Sequence, residues 1–134
     1  MNTIVVRLLD SPLHRLMSGS TDVIRYAGRR SGKTITLPTQ YAARGEDVII
    51  LVGRPDSKSW WRNFSEDRDI EVLIKRRWLE MVGRAVVGSV DPEVAEPLLD
   101  AYLAKFPRAA RVLGPDDGHR VERAVLVWCR PRAR

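Results

Sequence analysis

Apolar residues recur along this chain at two different periods, and the changes between them mark out its elements. Within residues 4–17, Val5, Leu8, Leu9, Pro12, Leu13, Leu16 and Met17 follow three- and four-residue spacing, the period of a helix with one buried face. Ser11 and Pro12 suit an N-cap and a first helical position, so the spacing predicts one short helix or two broken ones. Residues 21–27 and 34–43 are instead β-rich and bracket Gly28-Arg29-Arg30-Ser31-Gly32-Lys33, a hairpin turn with a basic tip. A second turn at Arg44, Gly45 and Glu46 leads into residues 47–52. Their unbroken Val-Ile-Ile-Leu-Val run predicts a strand buried on both faces, at the centre of the sheet.

Residues 53–59 gather Gly, Pro, Asp and two serines and predict a loop, followed by a short helix over 60–64 capped by Ser57 or Ser59. Residues 70–75 alternate and pair with residues 78–90 across a tip at Arg76 and Arg77. Asp91 and Pro92 open a further helix with Val94, Leu98, Tyr102 and Phe106 on its apolar face, and Pro97 is expected to break its first turn or set a short 3₁₀ start. Residues 114–119 predict a loop, 121–129 a closing strand and 130–134 an exposed basic tail. About six strands in hairpin order, with helices at the start, in the middle and before the last strand, predict an α+β fold. Its sheet is mainly antiparallel and closes on itself, with helices flanking it in a single domain spanning 1–134.

Composition narrows the setting. The 134 residues are 44% apolar and 30% charged, enough to build a core, and no apolar run approaches the roughly 20 residues of a membrane-spanning helix. The first residues lack the apolar stretch and cleavage site of a secretory signal, and a single cysteine, Cys129, forms no intramolecular disulfide and no cysteine-based metal site. A reducing cytoplasm is the expected location. Of the net charge of +6, residues 1–60 carry +4, from nine basic and five acidic side chains, so an anionic partner should meet that half of the chain.

The candidate chemistry is that of a binding site. His14, His119 and Cys129 are too scattered to assemble a nucleophile, a base and an orienting group, and no metal-ligand spacing is present. Gly32-Lys33-Thr34 lacks the upstream glycine of a nucleotide-binding loop and sits in a hairpin. The basic tip can cradle a phosphate or carboxylate, with amides near Gly32 turned outward beside Arg30 and Lys33, or it can be a plain solvated turn. Thr34, Thr36, Pro38 and Gln40 share one strand face, opposite Ile35, Leu37 and Tyr41. Pro38, without an N–H, belongs on an edge or at a bulge. Trp60 and Trp61 diverge by about 100° on a helix, so one enters the core while the other is a second core ring or the wall for a flat ligand.

The order Gly28-Arg-Arg-Ser-Gly-Lys33, Pro38, Gly53-Arg54-Pro55 and Trp60-Trp61-Arg62-Asn63 resembles the deazaflavin-dependent nitroreductase family, a branch of the flavin/deazaflavin oxidoreductases with a split β-barrel. The resemblance runs from Ser11-Pro12-Leu13 to the closing strand. It implies a small, often dimeric protein that binds coenzyme F420, or FMN in related branches, and passes hydride from reduced F420 to a quinone, enone or nitroaromatic. No catalytic side chain is needed, because the reduced ring itself delivers the hydride. By position, Arg30, Ser31 and Lys33 would lie near the cofactor's phosphate or acidic tail, Thr36 and Pro38 beside its ring and ribityl chain, and Arg54, Lys58, Trp60 and Asn63 in the loop and helix that wall the pocket. Two departures stand out: Ile35 occupies a position that is often basic in relatives, and Ala109 and Val112 occupy positions where nitroimidazole-reducing members carry tyrosines.

Three alternatives belong beside this one. The same fold could use FMN, or it could be a non-catalytic barrel that holds a cofactor, lipid or tetrapyrrole. Nucleic-acid binding through the basic tips is disfavoured by the absence of interleaved aromatic residues. The amphipathic pattern of residues 4–17 could cover the barrel, join a homodimer or rest on an anionic membrane, where a quinone acceptor would reside.

Overall fold

The computed structural model describes residues 21–132, so the helix expected over 4–17, with its membrane or dimer contact, and the last two residues of the tail lie outside the described residues. Seven strands form one antiparallel sheet: β1 (Thr21–Ala27), β2 (Thr34–Gln40), β3 (Ala42–Arg44), β4 (Asp47–Leu51), β5 (Arg68–Ile74), β6 (Arg77–Val87) and β7 (Val125–Pro131). Their order is β2-β1-β5-β6-β7-β4-β3. β2 and β3 are consecutive in sequence yet stand at opposite ends of that order, so the chain passing through Tyr41 brings the two edges together and curls the sheet into a split barrel. The single strand expected over 34–43 is therefore two, divided at Tyr41. Pro38 sits on the edge strand β2, where its missing N–H leaves no ladder bond unmade on the outer side.

β4 is buried on both faces as its apolar run predicts, but it lies next to one end of the strand order, and β6 holds the middle. A helix explains this burial. Val48, Ile50 and Val52 point into the barrel beside Ile24, Val72, Met81, Val127 and Cys129, whereas Ile49 packs outside, against the helix α1 (Pro92–Lys105). Ala95, Leu98, Leu99 and Tyr102 are the buried face of α1, and Val94, expected there, is 41% exposed. Pro97 leaves α1 intact. It lies on the exposed side, as does Glu93, whose carbonyl loses the bond that a residue-97 N–H would have made.

Residues 121–123 form a 3₁₀ turn instead of the start of the last strand, and β7 extends to Pro131, so Arg130 and Pro131 pair with β6 where an exposed tail was expected. Arg130 reaches Asp67 at 3.1 Å, and Arg132 reaches Glu80 at 3.2 Å. The β5–β6 hairpin turns at Lys75 and Arg76, one residue earlier than expected, with both residues at positive φ (51° and 69°) as a two-residue hairpin of the right twist requires. After α1, residues Pro107–Ala109 and the short helix α2 (Ala110–Leu113) cross one end of the barrel. Arg123 holds the end of this stretch by donating to the carbonyls of Leu113 and Pro115.

Candidate functional site

The barrel is split between β2 and the end of β4, and there a cleft of about 990 Å³ opens. Leu37 and Pro38 on β2, Ile50 on β4 and Val52 beyond it supply apolar surface. The third wall comes from the end of α1 and the stretch after it, through Tyr102, Lys105, Phe106, Ala109 and Val112. Trp60 stands at one end with its ring edge-on to Phe64, 6.4 Å between centroids, while Trp61 turns into the core and donates its indole N–H to the Pro55 carbonyl at 3.0 Å. The adjacent tryptophans thus divide as the helical angle between them suggests. Neither Ser57 nor Ser59 caps this 3₁₀ turn (Trp60–Phe64) with its side chain, and the Ser57 hydroxyl instead donates to the Arg54 carbonyl.

Lys58 lines the cleft beside Gly53. A Cβ built on Gly53 would lie 3.7 Å from the Lys58 Nζ, which marks where the ammonium rests. Arg54 adopts left-handed backbone (φ 51°) to start the Pro55–Ser57 turn and is exposed, next to Gly53 but not itself lining the cleft.

The basic tip is bound to this wall by one side chain. Asn63 accepts from the Arg29 N–H at 2.8 Å and donates to the Trp60 carbonyl at 2.8 Å, so it acts as a strut between the tip and the tryptophan turn. Within the tip the Gly32 N–H donates to the Gly28 carbonyl and the Lys33 N–H to the Ser31 hydroxyl, with Gly32 at φ +69°. Those amides face the turn's interior and not outward as expected, and the Arg30 and Lys33 side chains are exposed. Asn63→Ala is expected to remove about 1–2 kcal/mol of stability and to speed amide exchange at Arg29, read by hydrogen-exchange NMR, with exchange in β5 and β6 unchanged.

Of the residues that sequence singled out, Pro38, Lys58 and Trp60 line the cleft, and Asn63 joins Arg30, Ser31 and Lys33 to it. Thr36 stands two residues before Pro38 on the same strand face, opposite Arg25, and does not line the cleft. Arg25, Arg84, Arg120, Arg123, Arg130 and Arg132 pair with acids, whereas among the described residues no carboxylate lies in ion-pair reach of Arg30, Lys33, Arg54, Lys58 or Arg108. Of these, Lys58 and Arg108 line the cleft.

Sequence reasoning missed three parts of the site. Lys105 and Arg108 flank Phe106-Pro107, a helix stop with a basic last turn, but only the tertiary fold aims that stop at the barrel's split. Lys105 donates to the Tyr41 carbonyl at 3.0 Å and lies over the Tyr41 ring, and burial pulls its pKa down while Asp22 pulls it back up. Asp22, fully buried, is the third. Its place in the β1 alternation with Ile24 and Tyr26 puts a carboxyl on the inward face, a signal present in the sequence. Thr39, in the cleft wall, donates its hydroxyl to Asp22 Oδ1, and Oδ2 has no partner. Burial raises the Asp22 pKa to about 7, against the lowering effects of the Thr39 bond and the Lys105 charge.

Comparison with known proteins gives one family match and several structural ones. The model of the F420H2-dependent quinone reductase family matches residues 2–111. An F420H2-dependent reductase of known structure superposes with a TM-score of 0.65 at 16% identity, over 83% of this chain and 94% of that one. A domain-swapped dimer gives 0.63 at 14% identity, over 97% and 100%. A protein of unknown function from Agrobacterium tumefaciens gives 0.55 at 21% identity, over 97% and 55%. No curated protein matches the sequence. The structural likenesses agree on the split barrel.

Proposed function

We propose, from the premise that this chain belongs to the F420H2-dependent quinone reductase family and is an F420-dependent oxidoreductase, that its cleft holds reduced F420 beside a flat quinone acceptor. The observation that carries this reading is the lining of the cleft. An apolar cleft walled by Trp60, Leu37 and Pro38 also holds Lys58 and Arg108, neither with a carboxylate in ion-pair reach among the described residues, and this donor set fits a flat ring with an acidic tail. Lys58 and Arg54 would hold the part of the tail nearest the ring, and Arg30 and Lys33 the part beyond Asn63. When bound, the reduced cofactor supplies the hydride. The chain's own task is to hold two rings in contact and keep water from between them, which Trp60, Leu37 and Phe106 do as apolar walls.

Ala109 and Val112 line the flank of the cleft after α1 with small apolar groups, where a tyrosine would have offered a hydroxyl to a nitro group. A quinone ring, recognised by its flat apolar face, suits that lining better than a nitroimidazole, and an enone is the next acceptor to try. FMN offers one phosphate to four cations, so F420 is expected to bind more tightly, with a margin that shrinks as salt is raised.

The test is titration of the purified protein with F420 and with FMN, in low and physiological salt, for wild type and for Lys58→Ala, Lys33→Ala and Arg54→Ala. Each loss of a charge-assisted bond is expected to weaken F420 binding about 10- to 100-fold with little change in melting temperature. Undetectable F420 binding by the wild type would sink the reading. A melting temperature that falls while affinity holds would make these residues structural.

A further inference from the structure

Turning a quinone into a quinol takes one hydride and one proton, and the groups that reach the cleft are poorly placed to give that proton. The Lys105 ammonium is already donating to the Tyr41 carbonyl, burial raises the Tyr102 hydroxyl to a pKa of about 12, and the Lys58 ammonium is assigned above to the cofactor's tail. Behind the cleft wall the chain holds a carboxyl that no packing argument explains. Asp22 is fully buried, faces the barrel interior from β1 directly opposite Thr39 of β2, and leaves Oδ2 without a partner. An apolar residue there would avoid that desolvation.

We propose that Asp22 and Thr39 form a two-residue relay that hands a proton from inside the barrel to the acceptor oxygen in the cleft. This rests on the quinone-reductase reading. Asp22 and Thr39 share one hydrogen bond, and a hydroxyl can both donate and accept. With the carboxyl protonated, Asp22 donates to Thr39 Oγ1, and the Thr39 hydrogen is free for the cleft. As the acceptor takes the hydride, its oxygen gains the Thr39 proton and the O–H bond of Asp22 breaks to restore the Thr39 hydroxyl. The acceptor has then gained two electrons and two hydrogens. Asp22 is left ionised and is recharged by one proton from solvent, equal to the one released when the reduced cofactor is oxidised.

The surroundings suit this cycle. The titratable groups around Asp22 are Lys105 and Tyr102 on α1, Tyr41 at the corner between β2 and β3, and Cys129 on β7. Burial raises the pKa of both tyrosines and of the thiol, and the Asp22 charge raises them further, so all three stay protonated. Lys105 supplies the positive charge that makes the ionised carboxylate tolerable between turnovers. A carboxyl that titrates near neutrality can both give and regain a proton at working pH.

The test compares two acceptors in single-turnover reduction by the protein loaded with reduced F420: a quinone, and the N-methylphenazinium cation, which becomes neutral on taking a hydride and needs no added proton. Asp22→Asn is expected to lower the quinone rate relative to the phenazinium rate about 100-fold. Thr39→Val should behave alike, and Thr39→Ser should restore the ratio. Independently, carbon-13 NMR of the Asp22 carboxyl in the cofactor-free protein should show it titrating at about 7. Equal slowing of both acceptors, an unchanged quinone rate, or a carboxyl ionised throughout overturns the relay alone. A wild type that neither binds F420 nor reduces either acceptor overturns the quinone-reductase reading, and the relay with it.

Discussion

Gly88→Ala is expected to cost at least about 3 kcal/mol and to lower the melting temperature by roughly 10 °C or more, the largest loss from adding one methyl group to this domain. Gly88 is buried just after β6, and its N–H donates to the Ala124 carbonyl at 2.8 Å. A Cβ there would lie 1.7 Å from the Val121 carbonyl oxygen and 3.0 Å from the Ala124 carbonyl oxygen. Both obstacles are backbone, in the 3₁₀ turn that feeds β7, so no rotamer change relieves them. The chain entering β7 must move, and with it the strand that pairs with both β4 and β6. Gly83→Ala is the control. Its Cβ meets the Phe64 ring at 3.1 Å and Ile70 at 3.3 Å, side chains that can shift by tenths of an ångström, and a loss nearer 1 kcal/mol is expected. Urea titration of the two variants checks the contrast, and equal losses would mean that the β6–β7 junction yields more easily than its backbone contacts imply.

Asp22→Asn is expected to stabilise the protein at pH 8 and to have a much smaller effect at pH 5. The buried carboxyl has its pKa raised from 3.8 to about 7, so the folded state holds a proton that the unfolded chain releases. Its contribution is complete below the unfolded value of 3.8 and is lost as pH rises through about 7. At about 1.4 kcal/mol for each tenfold change in proton affinity, the loss is on the order of 4 kcal/mol, more than half of it above pH 5. Asparagine keeps the shape and carries no charge, so the variant should lack this slope. Urea midpoints at pH 5, 6, 7 and 8 check it, and parallel pH dependences for the two proteins would mean that Asp22 is ionised in the folded state. A group that lowers stability at working pH is easiest to understand as one kept for chemistry.

The local elements were largely legible because local chemistry fixes them. A β-rich stretch placed β1, an unbroken apolar run placed β4, Asp91-Pro92 placed the start of α1, and Pro38 announced an edge. The β1–β2 and β5–β6 hairpins were legible as well, and what sequence could not show was how the remaining strands pair. Nothing at Tyr41 distinguishes a continuous strand from one that leaves β1 and rejoins at β4, because that choice depends on the sheet's curl. The same ignorance put β4 in the middle of the sheet, since burial on both faces can come from a covering helix as readily as from central position. Pro97 misled in the other direction, because a proline on a solvent face removes a bond that water can replace. At the site, Pro38, Lys58 and Trp60 were found through the resemblance and line the cleft, whereas Lys105 and Arg108 were missed because their place depends on where α1 ends against the barrel.

The third wall of the cleft, residues 106–112, belongs to no strand ladder and is held by a helix end and by Arg123. Substitutions there leave every sheet hydrogen bond in place and leave Lys58, Trp60 and the basic tip untouched. On the proposed reading the two halves of the task can therefore diverge at different speeds, since the residues assigned to the hydride donor sit mainly on or beside the barrel strands and those assigned to the acceptor sit on this flank. A lineage built this way can acquire new acceptors by drift in one short stretch without passing through unstable intermediates. The same stretch is where a library of variants should be made to widen the range of compounds that the barrel reduces.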